Sequence, residues 1–147
     1  MLKLQLMRCI SILSFFLTFI FFAACKDAEK KEEERLKDEI FAIHDEVMPA
    51  TSDIMRISRK IRSVKKKNPD LTEAEVAELE SALVQLETAH DKMMVWMKNF
   101  KSPAKLRSSR THEEIMDYLQ KEKKNIEDVR DAMLQSMKTG QAALKNY

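Results

Sequence analysis

The stretch Leu36–Val64 reads L-K-D-E-I-F-A-I-H-D-E-V-M-P-A-T-S-D-I-M-R-I-S-R-K-I-R-S-V, and its apolar residues decide the fold class. Leu36, Ile40, Ile43, Val47, Ala50, Ile54, Ile57, Ile61 and Val64 recur at alternating steps of four and three, the period of one buried face on a helix packed along a partner. Phe41, His44, Met48 and Met55 stand one residue on from these positions and widen the stripe on one flank. Pro49 falls inside it. Proline has no backbone N–H and its ring crowds the preceding turn, so the carbonyl of Asp45 loses its usual partner. Because the seam keeps its register on both sides, the expectation is one kinked helix over about 32–66 rather than a break.

Two further helices follow from the same period and from local start and stop signals. Lys65-Lys66-Lys67 suit a helix C-terminus, and Asn68-Pro69-Asp70 forms a turn. Thr72 and Glu75 spell a capping box, opening a helix over about 72–100. Its expected seam is Val76, Leu79, Leu83, Leu86, His90, Met93, Met97 and Phe100, with Met94 and Trp96 beside it. Ser102-Pro103 gives the second turn, and Thr111 with Glu114 opens a helix over about 112–144. Its seam is Ile115, Leu119, Glu122, Ile126, Val129, Met133 and Ser136, in which Glu122 is discordant and near whose end Gly140 is expected to fray the helix. Three long amphipathic helices joined by short turns specify an all-α, coiled-coil-like antiparallel three-helix bundle over residues 36–147.

The residues ahead of the bundle read as a targeting segment. Lys3 and Arg8 precede an apolar run from Cys9 to Ala24, followed at once by charged residues, the layout of a cleaved secretion signal over residues 1–24. Small residues Ala23 and Ala24 precede Cys25, with Phe22 one place further back. This resembles the lipobox of bacterial lipoproteins, in which leucine is commoner at that place. The resemblance implies cleavage before Cys25, a diacylglyceryl group and fatty acyl chains such as palmitate on Cys25, and an anchor in the cell envelope, in the outer membrane on its periplasmic face or at the cell surface. Cys9 leaves with the signal, so the mature domain has no disulfide. Residues 25–35, C-K-D-A-E-K-K-E-E-E-R, hold nothing bulkier than alanine to bury after the cysteine and read as a solvated tether, one able to extend the first helix. A cysteine followed by lysine and acids also resembles the signals that send lipoproteins of Bacteroidota to the surface.

Charge bounds the partners. The net charge of +2 comes from Lys3 and Arg8, because the first 24 residues contain no acid and the rest of the chain is balanced. A nucleic-acid binder carries a basic surplus, so nucleic acid is excluded. Arg56, Arg59, Lys60, Arg62 and Lys65–Lys67 are expected to pair across the turn with Asp70, Glu73, Glu75, Glu78 and Glu80. Lys98 to Arg110, with Trp96 and Phe100, return toward the anchored end and are expected near lipid headgroups.

Every histidine opens one spelling: His, an acid, then Met at the fourth place on. It occurs at His44-Asp45 with Met48, His90-Asp91 with Met94 and His112-Glu113 with Met116. An antiparallel fold turning near Pro69 sets Met48 level with His90 and His44 level with Met94, and the second turn brings Glu122 level with His90. His and Met four apart share one helix face, and thioether with imidazole selects copper. Copper binding by His44, Met48, His90 and Met94, with Asp45 and Glu122 supporting the imidazoles, is therefore the alternative to a cofactor-free bundle whose Met and His residues fill the core. His112 falls at a helix start, apart from the other two. No phosphate loop, cysteine nucleophile or zincin spelling is present, so no enzyme is expected.

The sequences I-H-D-E-V-M-P at Ile43–Pro49 and M-M-V-W-M-K-N-F-K at Met93–Lys101 resemble short helical lipoproteins of Bacteroidota, often labelled "viral A-type inclusion protein". The resemblance covers most of the mature length and implies an envelope lipoprotein with a helical domain and no established activity. The function expected is that of a lipid-anchored structural or protein-interaction module, partnered by the membrane through Cys25 and by an envelope protein or a second copy of itself.

Overall fold

The computed structural model describes residues 26–147; the signal segment and Cys25 lie outside the described residues. The chain is all-α, with no strand among the described residues. Helix α1 covers 26–47, α2 Ala50–Lys67, α3 Glu73–Asn99, α4 Pro103–Leu106 and α5 His112–Ala143. They form a bundle of three legs. The first leg is α1 followed by α2, the second is α3, and the third is α5.

Pro49 interrupts the first leg more than a kink requires. Met48 and Pro49 form a turn, and Thr51 and Ser52 donate backbone bonds of 3.1 and 3.2 Å to the carbonyls of Met48 and Pro49, three residues back. Pro49 nevertheless keeps helical angles, φ −57 and ψ −29, so the chain restarts without reversing. The seam is therefore continuous in space: Leu36, Ile40, Val47, Ala50, Ile54, Ile57, Ile61 and Val64 are all buried, and Ile43 packs partly buried against them.

Local sequence chemistry fixes the other helix ends. Asn68 ends α2 by donating its side-chain amide to the Val64 carbonyl at 2.8 Å. Both capping boxes form: Thr72 N–H donates to Glu75 at 2.8 Å, Thr111 N–H donates to Glu114 at 2.9 Å, and each threonine hydroxyl accepts the third helical N–H at 3.3 Å. Pro103 opens α4, where the absence of its N–H costs nothing, and both Pro103 and Leu106 are buried. The connection from α3 to α5 is thus a packed segment rather than a tight turn.

Two seam expectations change. In α3 the buried positions are Leu79, Ala82, Leu86, Ala89, Met93 and Trp96, so Leu83, His90 and Met97 belong to the flank. The small residue Ala89 stands beside Ala132 and Ser136 of α5, and α3 packs more extensively against α5 than against α2. Gly140 does not fray α5. It is buried inside the helix, where an added Cβ would lie 2.8 Å from Ile57 Cγ2 and 2.9 Å from Leu86 Cδ1, so its missing side chain lets three helices meet.

The first leg runs parallel to α5 and antiparallel to α3. Glu39 pairs with Lys123 at 2.8 Å and Glu33 with His112 at 3.0 Å, while Lys65 reaches Glu80 at 2.6 Å and Arg62 reaches Glu87 across the α2–α3 face. The start of α1, the α4 connection and the start of α5 consequently share one end of the bundle.

Candidate functional site

The three histidines lie in three different environments. The ring of His44 is packed 5.6 Å from that of Trp96 and 5.8 Å from that of Phe41, and its Nδ1 is 2.8 Å from the Asp45 carboxylate. His90 is half-buried between α2 and α3, in a cleft of about 170 Å³ with Ile54, Met55, Ser58 and Arg59, and its Nδ1 is 3.5 Å from Asp91. His112 opens α5 and meets α1.

Of the set His44, Met48, His90 and Met94, the two histidines have different neighbours, and Met48 and Met94 pack partly buried against the core. His90 lines a cleft with Ile54 and Met55, whereas His44 packs on Trp96, six residues or about 9 Å further along α3. Glu122 sits on another groove with Trp96 and Asn99, and accepts from Asn125 at 3.3 Å. The α3–α5 register differs because the connection carries the extra turn of α4, moving its midpoint from Leu106 toward Arg110. Among the described residues no group of three or more His, Cys, Asp or Glu side chains is arranged to hold a metal ion. The shared spelling has a simpler consequence in two of its copies, where the acid next to the histidine takes the imidazole Nδ1.

A buried charge cluster missed by the sequence reading stands at the end where α1 begins. Glu33 is only 3% exposed. Its Oε2 accepts from Arg107 Nε at 2.7 Å, and its Oε1 is 3.0 Å from His112 Nδ1. A second nitrogen of Arg107 donates to Glu34 at 3.0 Å, and His112 Nε2 lies 3.6 Å from Glu32. From residue 26 the stretch read as a tether extends the first helix, and its Glu33 is buried against Arg107 and His112 rather than solvated. The signal was present: Glu33 is three residues before Leu36, so it extends the seam backward, and a carboxylate there needs a cation opposite. Arg107 and His112 meet that need.

The electrostatics agree with the geometry. The hydrogen bond to Glu33 is the main reason the His112 pKa is raised above 6.5, with Glu29 and Glu32 adding to it against the opposing effect of burial. The Glu34 carboxyl is held below its usual range, first by its hydrogen bond to Lys37 and then by Arg107. Burial opposes the charge on Arg107, yet its hydrogen bonds to Glu33 and Glu34 raise its pKa, so His112, Glu34 and Arg107 are all favoured in their charged forms within this clasp.

Next to the clasp lies an aromatic group. Phe41, His44, Trp96, Phe100 and Tyr118 form successive ring contacts of 5.2–6.4 Å. Tyr118 Oη accepts from the Lys101 backbone N–H at 2.8 Å, tying the beginning of the connection to α5. Trp96 is 6% exposed and faces inward, which corrects the expectation that it meets headgroups.

No family model, curated protein or solved structure matches this chain. The functional reading therefore rests on the residues themselves. The open groove of about 570 Å³ between α3 and α5, where Asp91, Lys92, Glu122 and Asn125 alternate, brings no nucleophile together with a base and oxyanion donors. Among the described residues no helix is long and apolar enough to cross a membrane.

Proposed function

We propose that this chain is a lipid-anchored protein of the bacterial cell envelope, placed in the outer membrane, whose helical bundle serves as a structural or protein-interaction module. The observation that carries the reading is the order of residues at the N-terminus: Lys3 and Arg8, the apolar run to Ala24, and Cys25 followed directly by charged residues. Two or three acyl chains on Cys25 give an anchor of long residence. Helix α1 begins at the first described residue, one peptide unit after Cys25, and the Glu33 clasp ties its opening turns to α4 and α5. The anchor is then coupled to the orientation of the bundle, as suits a module that presents its surface at a set angle. The bundle is assigned no catalytic residue and no cofactor.

Fractionation of cells expressing the full chain and its Cys25→Ser variant tests the reading. The full chain is expected in the outer-membrane fraction and resistant to extraction by high salt, with the variant lost from that fraction. An identical distribution of the two proteins would refute it.

A further inference from the structure

We propose that the segment from Lys98 to Arg110 is a docking surface for anionic phospholipid headgroups, which holds the bundle with this end against the bilayer. The inference rests on the reading of Cys25 as the lipid-bearing residue. Residues 98–110 contain Lys98, Lys101, Lys105, Arg107 and Arg110 and no acid. Arg107 is committed to Glu33 and Glu34. Lys98, Lys101 and Lys105 are exposed and form no ion pair among the described residues, and the exposed Arg110 guanidinium lies 5.5 Å over the Tyr118 ring.

The clasp determines where these cations stand. Glu33 is eight residues beyond Cys25, so a straight helix holds the segment about 12 Å from the anchored residue. Lysine side chains span much of that distance, and the remainder falls within a Debye length at physiological salt, about 8 Å. The carboxylates Asp27, Glu29 and Glu32 on α1 are matched in number by Lys26, Lys30 and Lys31. Glu113, Glu114 and Asp117 on α5 oppose the segment, Glu114 and Asp117 lining a groove with Arg110, and do not outnumber its four available cations. At the other end of the bundle the charges are mixed: Asp70, Glu73, Glu75, Glu78 and Glu80 face Arg59, Lys60, Arg62 and Lys65–Lys67, with Lys65 paired to Glu80 and Arg62 to Glu87. An anionic surface at the anchored end therefore meets the unpaired lysines of residues 98–110, while Lys65–Lys67 stand at the far end of the bundle, many Debye lengths away. Each basic side chain near such a surface is worth about fivefold in partition.

The test uses the intact protein purified from its membrane and placed in vesicles of phosphatidylcholine alone or with about 30 mol% phosphatidylglycerol. A water-soluble amine-acylating reagent labels the lysines, and peptide mass spectrometry reads each rate. Lys98, Lys101 and Lys105 are expected to react roughly threefold or more slowly in the anionic vesicles, with the difference removed by high salt and Lys65–Lys67 unaffected. The double substitution Lys101→Glu and Lys105→Glu should abolish the protection of Lys98. Equal rates in both vesicles, with lipid present on Cys25 by intact mass, would overturn the docking surface and leave the anchor standing. Absence of lipid on Cys25 would overturn both.

Discussion

Replacing Glu33 by Gln keeps the shape of the side chain and removes the charge on which Arg107 and His112 converge. Glu33 is 3% exposed, while the side chains of Arg107 and His112 are each 27% exposed. Breaking a fully buried pair costs about 3–5 kcal/mol and breaking an exposed one about 0–1. Here the carboxylate is buried, its partners are part-solvated, and Arg107 retains Glu34, so the expected loss is about 2 kcal/mol. With an unfolding entropy near 2.1 cal/mol/K per residue over roughly 120 residues, that lowers Tm by about 8 °C. Thermal unfolding followed by circular dichroism at 222 nm measures it. A double-mutant cycle with Arg107→Gln should give a coupling of at least about 1 kcal/mol, because the two groups share a direct bond. Hydrogen exchange should also accelerate at residues 26–35, the turns the clasp holds. A change in Tm below about 2 °C, or additive effects of the two substitutions, would refute the clasp as a structural element.

Lowered stability is expected for Gly140→Ala by about 1–2 kcal/mol, since crowding against Ile57 and Leu86 outweighs the gain of helix propensity; denaturant titration measures it, and a more stable variant would contradict the close approach. His112 has a raised pKa in the folded state, so its contribution is complete below about 6.5 and is lost as pH rises through the folded value; His112→Asn should remove that fall from a stability-versus-pH curve. Thr72→Ala and Thr111→Ala should each cost about 1 kcal/mol in chemical unfolding, because each deletes one half of a capping box. Pro49→Ala should change stability by less than about 1 kcal/mol, since a proline at the opening of α2 displaces a donor that needs no helical partner; a gain near 3 kcal/mol would mean that the first leg is a single helix held open by the ring.

What was legible in the sequence was local. The seam from Leu36 to Val64 and both capping boxes follow from residues three and four apart, and they are found where the pattern places them. Relations between legs were less legible. In α3 two apolar tracks run side by side, Leu83-His90-Met97 and Ala82-Ala89-Trp96, and the sequence weighs the larger residues although the alanines are the ones buried. The register across α3 and α5 depends on α4, a single turn whose burial of Pro103 and Leu106 is a tertiary effect. Glu33 lay hidden in a run of charges because its partners are more than seventy residues away. Gly140 has the composition of a stop signal, and only the neighbouring Ile57 and Leu86 make it a packing position.

Mass spectrometry of the N-terminal peptide, from protein extracted out of its native membrane, tests the central claim most directly. The account predicts that the peptide begins at Cys25, lacks residues 1–24, and carries the mass of a diacylglyceryl group with or without a further acyl chain. A peptide that retains the segment before Cys25, or a Cys25 with a free thiol, would contradict it.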